Sequence, residues 1–215
     1  MLSLLLGWKS KWPDLSIDEI RKRARVVVID DAEFYYHSLF QKDGYTIDKW
    51  DDVTDLQKLE AGFYDIILLD IHGVGKTQSS DEGLGIIKHL KRVRPAQIIV
   101  AYSNADWPLK YKEFFDLADA TLDKRGDYVD FKRKVDELLS ARFSLGFYVD
   151  RIAEMLGDKA VDPEKLRSTT QKAILRRDPK ILEKLLRANN VDLDAIRLVL
   201  QVAQTGIAIF SIFVK

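Results

Sequence analysis

The chain contains no cysteine among its 215 residues. This excludes disulfides, thiolate metal sites and cysteine nucleophiles. It also lacks an excess of either charge, because 34 Lys and Arg balance 34 Asp and Glu. Composition therefore gives no reason to expect nucleic acid or an anionic membrane as a partner. The three histidines, His37, His72 and His89, lack the spacing of a metal motif. We expect a cytoplasmic protein.

The N-terminal segment is apolar but lacks the features of a secretory signal. Residues 1–6 are too short for a signal core, and no basic region precedes them. We therefore expect no export. Trp8 and Trp12 are four residues apart, as on one face of a helix. This spacing favours a segment that packs against the body of the protein or a second subunit, with an interfacial membrane anchor as the alternative.

Short apolar runs alternate with helical patterns between residues 25 and 143. Such alternation predicts an α/β fold with right-handed crossovers, here a five-stranded parallel, doubly wound (flavodoxin-like) sheet. Before it, Ser16 and Glu19 form a predicted capping box in a helical extension, residues 1–24. After it, strand signals disappear, and residues 144–215 are predicted to form an all-helical output or dimerisation region.

Charged or hydroxyl side chains follow four of the predicted strands. They are Asp30 and Asp31 after the first strand, Asp70 after the third, Ser103 after the fourth and Lys124 after the fifth. The carboxyl ends of parallel strands lie on one edge of the sheet, where α/β proteins bind ligands. Crowded carboxylates need a cation to stay ionised, and their oxygens suit Mg²⁺. Ser103 and Lys124 could bind the oxygens of a phosphoryl group.

These segments resemble the receiver domain of two-component response regulators. The resemblance lies in residues 26–31, 66–70, 98–103 and 122–124, with residues 83–91 similar to the start of the family's third helix. It implies that Asp70 accepts a phosphoryl group, which Ser103 would hydrogen-bond and Lys124 would pair with. It also implies a Mg²⁺ site in which Asp70 takes part.

The resemblance assigns the remaining metal ligands as well. Asp31 would bind Mg²⁺ directly, Asp30 mainly through water, and His72 through its backbone carbonyl. A sensor histidine kinase or phosphotransfer protein would donate the phosphoryl group, and the readout would be a changed partner or output interaction. Such a protein is not a turnover enzyme. The alternative is a receiver-like interaction module that works without phosphorylation.

Three features depart from the family pattern. Arg125 follows Lys124, where the family usually has a proline, which puts the placement of Lys124 in question. Thr121 stands where the fifth strand usually carries a switching aromatic residue. The loop after Asp70, from His72 to Asp81, is longer than usual, and we expect it to overhang the site.

Other readings of single segments remain open. Residues 73–77 resemble the end of a phosphate-binding P-loop, but Asp70 occupies a position that requires glycine. A basic stretch in residues 165–187 could bind DNA, although it shows no helix-turn-helix pattern. We therefore expect a solvated helix face. Residues 196–214 are apolar but interrupted by Arg197, Gln201 and Gln204, which favours a buried helix and a candidate homodimer contact over a membrane anchor.

Overall fold

The structure, a computed structural model, describes residues 11–104, 111–157 and 161–213. Its contacts divide the chain into two units, of which the first runs from Leu15 to Phe143. The described residues before Leu15 group with those from Ser144 onward. The division after Phe143 coincides with the predicted limit of the sheet domain. Residues 15–24, which we assigned to the N-terminal extension, lie instead in the unit that contains the sheet.

The first unit alternates strands with helices. Its elements are α1 (Ile17–Arg21), β1 (Arg25–Ile29), α2 (His37–Lys42), β2 (Thr46–Trp50), α3 (Leu56–Glu60), β3 (Ile66–Leu69), α4 (Glu82–Val93), β4 (Ile98–Ser103), α5 (Lys112–Leu117), β5 (Ala120–Asp123) and α6 (Tyr128–Arg142). The five strands pair in the order β2-β1-β3-β4-β5, and every pair is parallel. The predicted fold class is confirmed.

The central strands are buried on both faces. All four residues of β3 are fully buried, and so are the last four of β1. This explains why these strands are uniformly apolar rather than alternating. Side chains alternate between the faces, so Asp30 and Asp70, each one residue beyond a paired position, point the same way. The sheet thereby brings two carboxylates together.

Local signals set several helix starts. The capping box predicted at Ser16 and Glu19 is present. Asp127 caps α6 by accepting a hydrogen bond from the Asp130 N–H, so α6 begins at Tyr128. Helix α2 begins at His37, and Phe34, which precedes it, packs into an aromatic cluster with Phe40 and Phe131.

The second unit is helical, as predicted. It contains α7 (Leu145–Leu156), α8 (Pro163–Leu175), α9 (Lys180–Ala188) and α10 (Leu193–Phe213). Helix α10 is long and apolar enough to cross a membrane by length and composition. It nevertheless packs against α7, α8 and α9 along the face that carries Val199, Val202 and Phe210, all fully buried. This packing is what we predicted for a buried helix.

Trp12 belongs to the helical unit. Its ring stacks on Phe210 with the centroids 5.4 Å apart, and it contacts Tyr148 at 6.2 Å. Gly206 of α10 lies so close to the Tyr148 ring that a Cβ there would stand 2.9 Å from Cγ. Trp12 thus packs against the body of the chain, which is one of the two packing partners that we predicted for this segment. Residues 1–10, including Trp8, lie outside the described residues.

Candidate functional site

Three carboxylates meet at the carboxyl edge of the sheet. Asp30 and Asp70 are 1% and 5% exposed, whereas Asp31 is exposed. The ladder continues into both buried residues, because the Asp70 N–H donates to the Ile29 carbonyl and the Asp30 N–H to the Trp50 carbonyl. One oxygen from each of the three carboxylates lies within 4.8 Å of the others. The structure therefore brings together the three acids that the sequence pointed to.

Lys124 reaches this cluster from β5. Its Nζ lies 2.7 Å from Asp70 Oδ2, to which it donates a hydrogen bond, and 2.7 Å from Asp30 Oδ2. The Lys124 N–H donates to the Ser103 carbonyl at 3.1 Å, which extends the pairing of β4 and β5 by one residue. Strand pairing thus aims Lys124 at the carboxylates even though Arg125, not proline, follows it. The Arg125 side chain instead pairs with Asp123.

The electrostatics of the pair follow from burial and proximity. Burial raises the pKa of Asp70, and the hydrogen bond from Lys124 only partly offsets this. The nearby charge of Asp30 raises the Asp70 pKa further. Burial lowers the pKa of Lys124, but its contacts with Asp30 and Asp70 outweigh burial, so the net shift is upward. Lys124 is therefore a stable ammonium at neutral pH.

The donor set fits a divalent cation. Asp30 Oδ2 is buried and lacks a hydrogen bond of ordinary geometry from any described residue, although Lys124 Nζ is near. Gly73 has a positive φ of +80°, and a Cβ there would collide with the Asp31 carboxylate. The backbone is thus shaped to let Asp31 lie close. Three carboxylate oxygens with open positions are a donor set that suits Mg²⁺.

Two other predicted site residues lie at the same edge in different settings. Ser103 ends β4 in register with Asp123, and its hydroxyl makes no hydrogen bond with any described residue. The His72 side chain is turned to Glu82, with Nδ1 3.7 Å from Oε2, and its ring packs edge-on against Tyr111. The metal-binding role that we gave the His72 carbonyl stays a prediction.

The long loop after Asp70 packs onto the connection that follows β2. Val74 is fully buried in the core, the Gly75 N–H donates to the Asp52 carboxylate, and Gln78 Nε2 donates to the Val53 carbonyl at 2.8 Å. We had expected this loop to overhang the site, but beyond Gly73 it is attached to the core and to the connection after β2.

The same loop lacks the helix that a P-loop needs. Residues 74–81 form turns, and α4 begins only at Glu82. A P-loop requires its helix to begin at the lysine and threonine, here Lys76 and Thr77. The P-loop reading of residues 73–77 is therefore not supported.

Sequence reasoning gave no role to two residues beside the cluster. Tyr102 is 4% exposed, and Lys124 Nζ lies 5.3 Å from the centroid of its ring. Lys49 Nζ donates to the Asp30 carbonyl at 2.5 Å and to the Asp51 carboxylate at 2.8 Å. Only the register of β3 with β4 in the structure reveals Tyr102, because it places this residue beside Asp70.

Comparisons with known proteins gave matches only among solved structures: no protein-family model and no curated protein matches the chain. The chain is similar to a CheY-like response regulator receiver domain protein from Methanospirillum hungatei JF-1, with 22% identity over 55% of this chain and 95% of that one, and a TM-score of 0.46. It is similar to the chemotaxis protein CheY4 of Vibrio cholerae at 20% identity, over 54% and 98% of the two chains, with a TM-score of 0.43.

A third similarity is to the beryllofluoride-activated NtrC4 receiver domain dimer, at 20% identity over 56% of this chain and 98% of that one, with a TM-score of 0.46. Identities and TM-scores of this size carry no functional conclusion, so the chemistry has to follow from the side chains. By its strand order and its parallel pairing, the unit of residues 15–143 has a flavodoxin-like, doubly wound fold, with an acidic cluster at the carboxyl edge of its sheet.

Proposed function

We propose that the chain is a two-component response regulator in which Asp70 accepts a phosphoryl group from a phosphohistidine in a Mg²⁺-dependent reaction. One observation carries the proposal: a buried Asp70 carboxylate lies in contact with Lys124 and within one cluster with Asp30 and Asp31. Isolated strand-end acids would not need this combination. Phosphoryl transfer does, because it depends on positioning and charge stabilisation.

The transfer itself is a displacement at phosphorus. An oxygen of the Asp70 carboxylate forms a bond to phosphorus as the bond from phosphorus to the histidine nitrogen breaks. The bonding pair stays on the imidazole, which takes up or keeps a proton. The product is an acyl phosphate on Asp70 and a free histidine on the donor. No other reactant is needed.

The residues around Asp70 fall into two groups, those that would contact the phosphoryl group and those that would hold Mg²⁺. Lys124, which now contacts Asp70, would pair with the oxygens of the incoming group, and Ser103 would donate a hydrogen bond to one of them. Asp30, Asp31 and Asp70, with the carbonyl of His72, would hold Mg²⁺. When bound, this ion would neutralise negative charge on the carboxylates and the phosphoryl group.

The donor would be a sensor histidine kinase or a phosphotransfer protein, and the chain would catalyse only its own modification rather than turn over an external substrate. Phosphorylation would add negative charge at a site already crowded with carboxylates. We infer that the new charge biases an output interaction, with the helices of residues 144–215 as the candidate output or homodimer contact and the cytoplasm as the setting.

The test is phosphorylation of the purified full chain by a small donor such as phosphoramidate, with Mg²⁺ and with excess chelator. We expect an acid-stable, alkali-labile phosphate that maps to Asp70 by mass spectrometry. It should be absent from Asp70→Asn and absent with chelator. Asp116→Asn, which changes an exposed carboxylate on α5, is the matched control and should be modified like the wild type.

Binding of beryllofluoride with Mg²⁺, a mimic of the acyl phosphate, is a second test of the same site. Binding by the wild type and by Asp116→Asn, but not by Asp70→Asn, supports the proposal. A wild-type chain that takes neither phosphate nor beryllofluoride would instead be a receiver-like interaction module that works without phosphorylation.

A further inference from the structure

Tyr102 occupies an unusual place beside the acidic cluster. Leu69 of β3 is in register with Ala101 of β4, so Tyr102 is the lateral neighbour of Asp70. Because side chains alternate along a strand and neighbouring parallel strands are in register, Tyr102 projects to the face of the sheet that carries Asp70. The residue next to the phosphoacceptor on that face is therefore an aromatic ring.

Other rings hold Tyr102 in place. Its ring meets Phe34 edge-on with the centroids 5.9 Å apart, and it meets Phe131 of α6 edge-on at 5.7 Å. Only 4% of Tyr102 is exposed. Edge-to-face contacts on two sides give a ring a defined orientation. The Tyr102 ring thus has a defined orientation beside the site.

The ammonium of Lys124 lies over the Tyr102 ring. Its Nζ stands 5.3 Å from the centroid of the Tyr102 ring, within the range of a cation–π contact. The same Nζ contacts Asp30 and Asp70. The ammonium therefore has two anionic partners and an electron-rich ring among its contacts. This pairing is independent of the residue that follows Lys124 in the chain.

We propose that Tyr102 is a positioning residue for Lys124. Its ring keeps the ammonium beside Asp70 when the carboxylates are engaged by other partners. The proposal rests on the proposed function of Asp70. It adds a side-chain contact to the strand pairing that aims Lys124 at the carboxylates. When Asp30 and Asp70 bind a cation or a phosphoryl group, the ring is the partner of Lys124 that does not change.

Three substitutions separate the ring from the hydroxyl and from packing. Tyr102→Phe keeps the ring and removes the hydroxyl, and Tyr102→Leu removes the ring. Phe40→Leu is the matched control, since Phe40 belongs to the same aromatic cluster but its ring contacts are with Phe34, Tyr45 and Tyr128 rather than with Tyr102. Each variant is used as the full chain after its circular dichroism and thermal unfolding show that it is folded at the working temperature.

The first readout needs no phosphoryl chemistry. Protons above a ring face resonate upfield, so the Hε protons of Lys124 should be shifted upfield in the wild type, with Lys124→Arg used to assign them. We expect the shift to remain in Tyr102→Phe and in Phe40→Leu and to disappear in Tyr102→Leu. An unchanged shift in Tyr102→Leu overturns the proposal, whether or not Asp70 accepts phosphate.

The second readout is the affinity for beryllofluoride with Mg²⁺. Loss of a partly desolvated cation–π contact should weaken it about three- to tenfold in Tyr102→Leu. Tyr102→Phe should restore the affinity to near the wild-type value, and Phe40→Leu should stay near it. If Tyr102→Phe loses as much as Tyr102→Leu, the hydroxyl is the active part and the proposal is wrong. If the wild type binds no beryllofluoride, the proposed function fails, and the Hε shifts alone decide the position of Lys124.

Discussion

Both edges of the sheet contain buried charged groups, but these groups are paired differently at the two edges. At the amino edge, Asp65 precedes β3, and its carboxylate accepts a hydrogen bond from the Arg25 N–H at 3.0 Å. Arg142 Nε lies 3.5 Å from the same carboxylate, and Arg142 Nη1 donates to the Ala96 carbonyl at 3.0 Å. Each buried charge at this edge has a partner of opposite charge or a hydrogen-bonding backbone group.

At the carboxyl edge, the balance is unequal. Asp30, Asp31 and Asp70 are clustered, and Lys124 contacts two of them. Burial raises the pKa of Asp70 as it does that of Asp65. Only at the carboxyl edge does a second carboxylate, Asp30, stand among the causes that raise it. The amino edge is neutralised by its own residues, whereas the carboxyl edge keeps an excess of negative charge that a cation would relieve.

This contrast separates stability from function. Buried charge that is paired internally holds elements together, and here Arg142 joins the end of α6 to the segments before β3 and β4. Buried charge that is left in excess costs stability and is retained where a ligand completes it. Substitutions at the two edges should therefore have opposite effects on stability and on phosphorylation.

The largest expected effect on stability comes from Arg142→Met. Removing the guanidinium leaves the buried Asp65 without its cation, which should lower the free energy of unfolding by about 3 kcal/mol in urea titrations. Adding Asp65→Asn should recover part of this loss, because the two residues are coupled. Phosphorylation of the folded fraction should be unchanged. An equal loss of phosphorylation would show that the amino edge also serves the site.

Asp31→Asn should have a smaller effect, and on ligand binding rather than folding. Because Asp31 is exposed, the change should leave unfolding without Mg²⁺ within about 0.5 kcal/mol of the wild-type value. The increase in Tm that Mg²⁺ produces should require at least roughly tenfold more Mg²⁺. The matched control is Asp51→Asn, an exposed acid that pairs with Lys49 near the same edge. If both variants respond to Mg²⁺ like the wild type, Asp31 is not a ligand.

Asp70→Asn should raise stability at neutral pH, by about 1 kcal/mol for relief of a buried like-charge contact. The pKa of Asp70 is raised in the folded state, so between its unfolded value of 3.8 and the raised value the folded chain binds more protons than the unfolded one. Stability from this group is therefore present at low pH and is lost as the pH rises through that window.

The measurement is the free energy of unfolding of wild type and Asp70→Asn as a function of pH. The advantage of Asp70→Asn should shrink as the pH falls towards 4. The rate of phosphorylation of the wild type should fall over the same window, since the ionised carboxylate is the nucleophile. A difference that does not depend on pH would contradict a raised pKa for Asp70.

Much of this site could be predicted because it depends on strand ends. The apolar runs and their alternation with helical patterns place Asp30, Asp70 and Lys124 after parallel strands. Parallel pairing alone then brings these residues to one edge of the sheet. Tyr102 was missed because its role depends on which face of β4 it occupies. That requires the register between β3 and β4, which no local pattern supplies.

The loop after Asp70 was harder for a similar reason. Its glycines and serines predict an exposed loop, but Val74 is fully buried and Gln78 bonds to the connection after β2. The partners lie more than twenty residues away in the chain, so only the tertiary fold reveals them. Residues 15–24 show the same limit, because the capping box predicts the helix but not the unit against which it packs.

The smallest effect on stability is expected at Ser103, where the contrast between the edges is sharpest. The Ser103 hydroxyl makes no hydrogen bond with a described residue, so Ser103→Ala should change the free energy of unfolding by less than about 0.5 kcal/mol. A hydrogen bond to a charged phosphoryl oxygen is stronger, so the same change should slow phosphorylation by phosphoramidate roughly tenfold or more. Ser103→Thr keeps the hydroxyl and should retain most of the rate. A Ser103→Ala chain that is less stable but phosphorylated at the normal rate would place Ser103 with the structural residues of the amino edge.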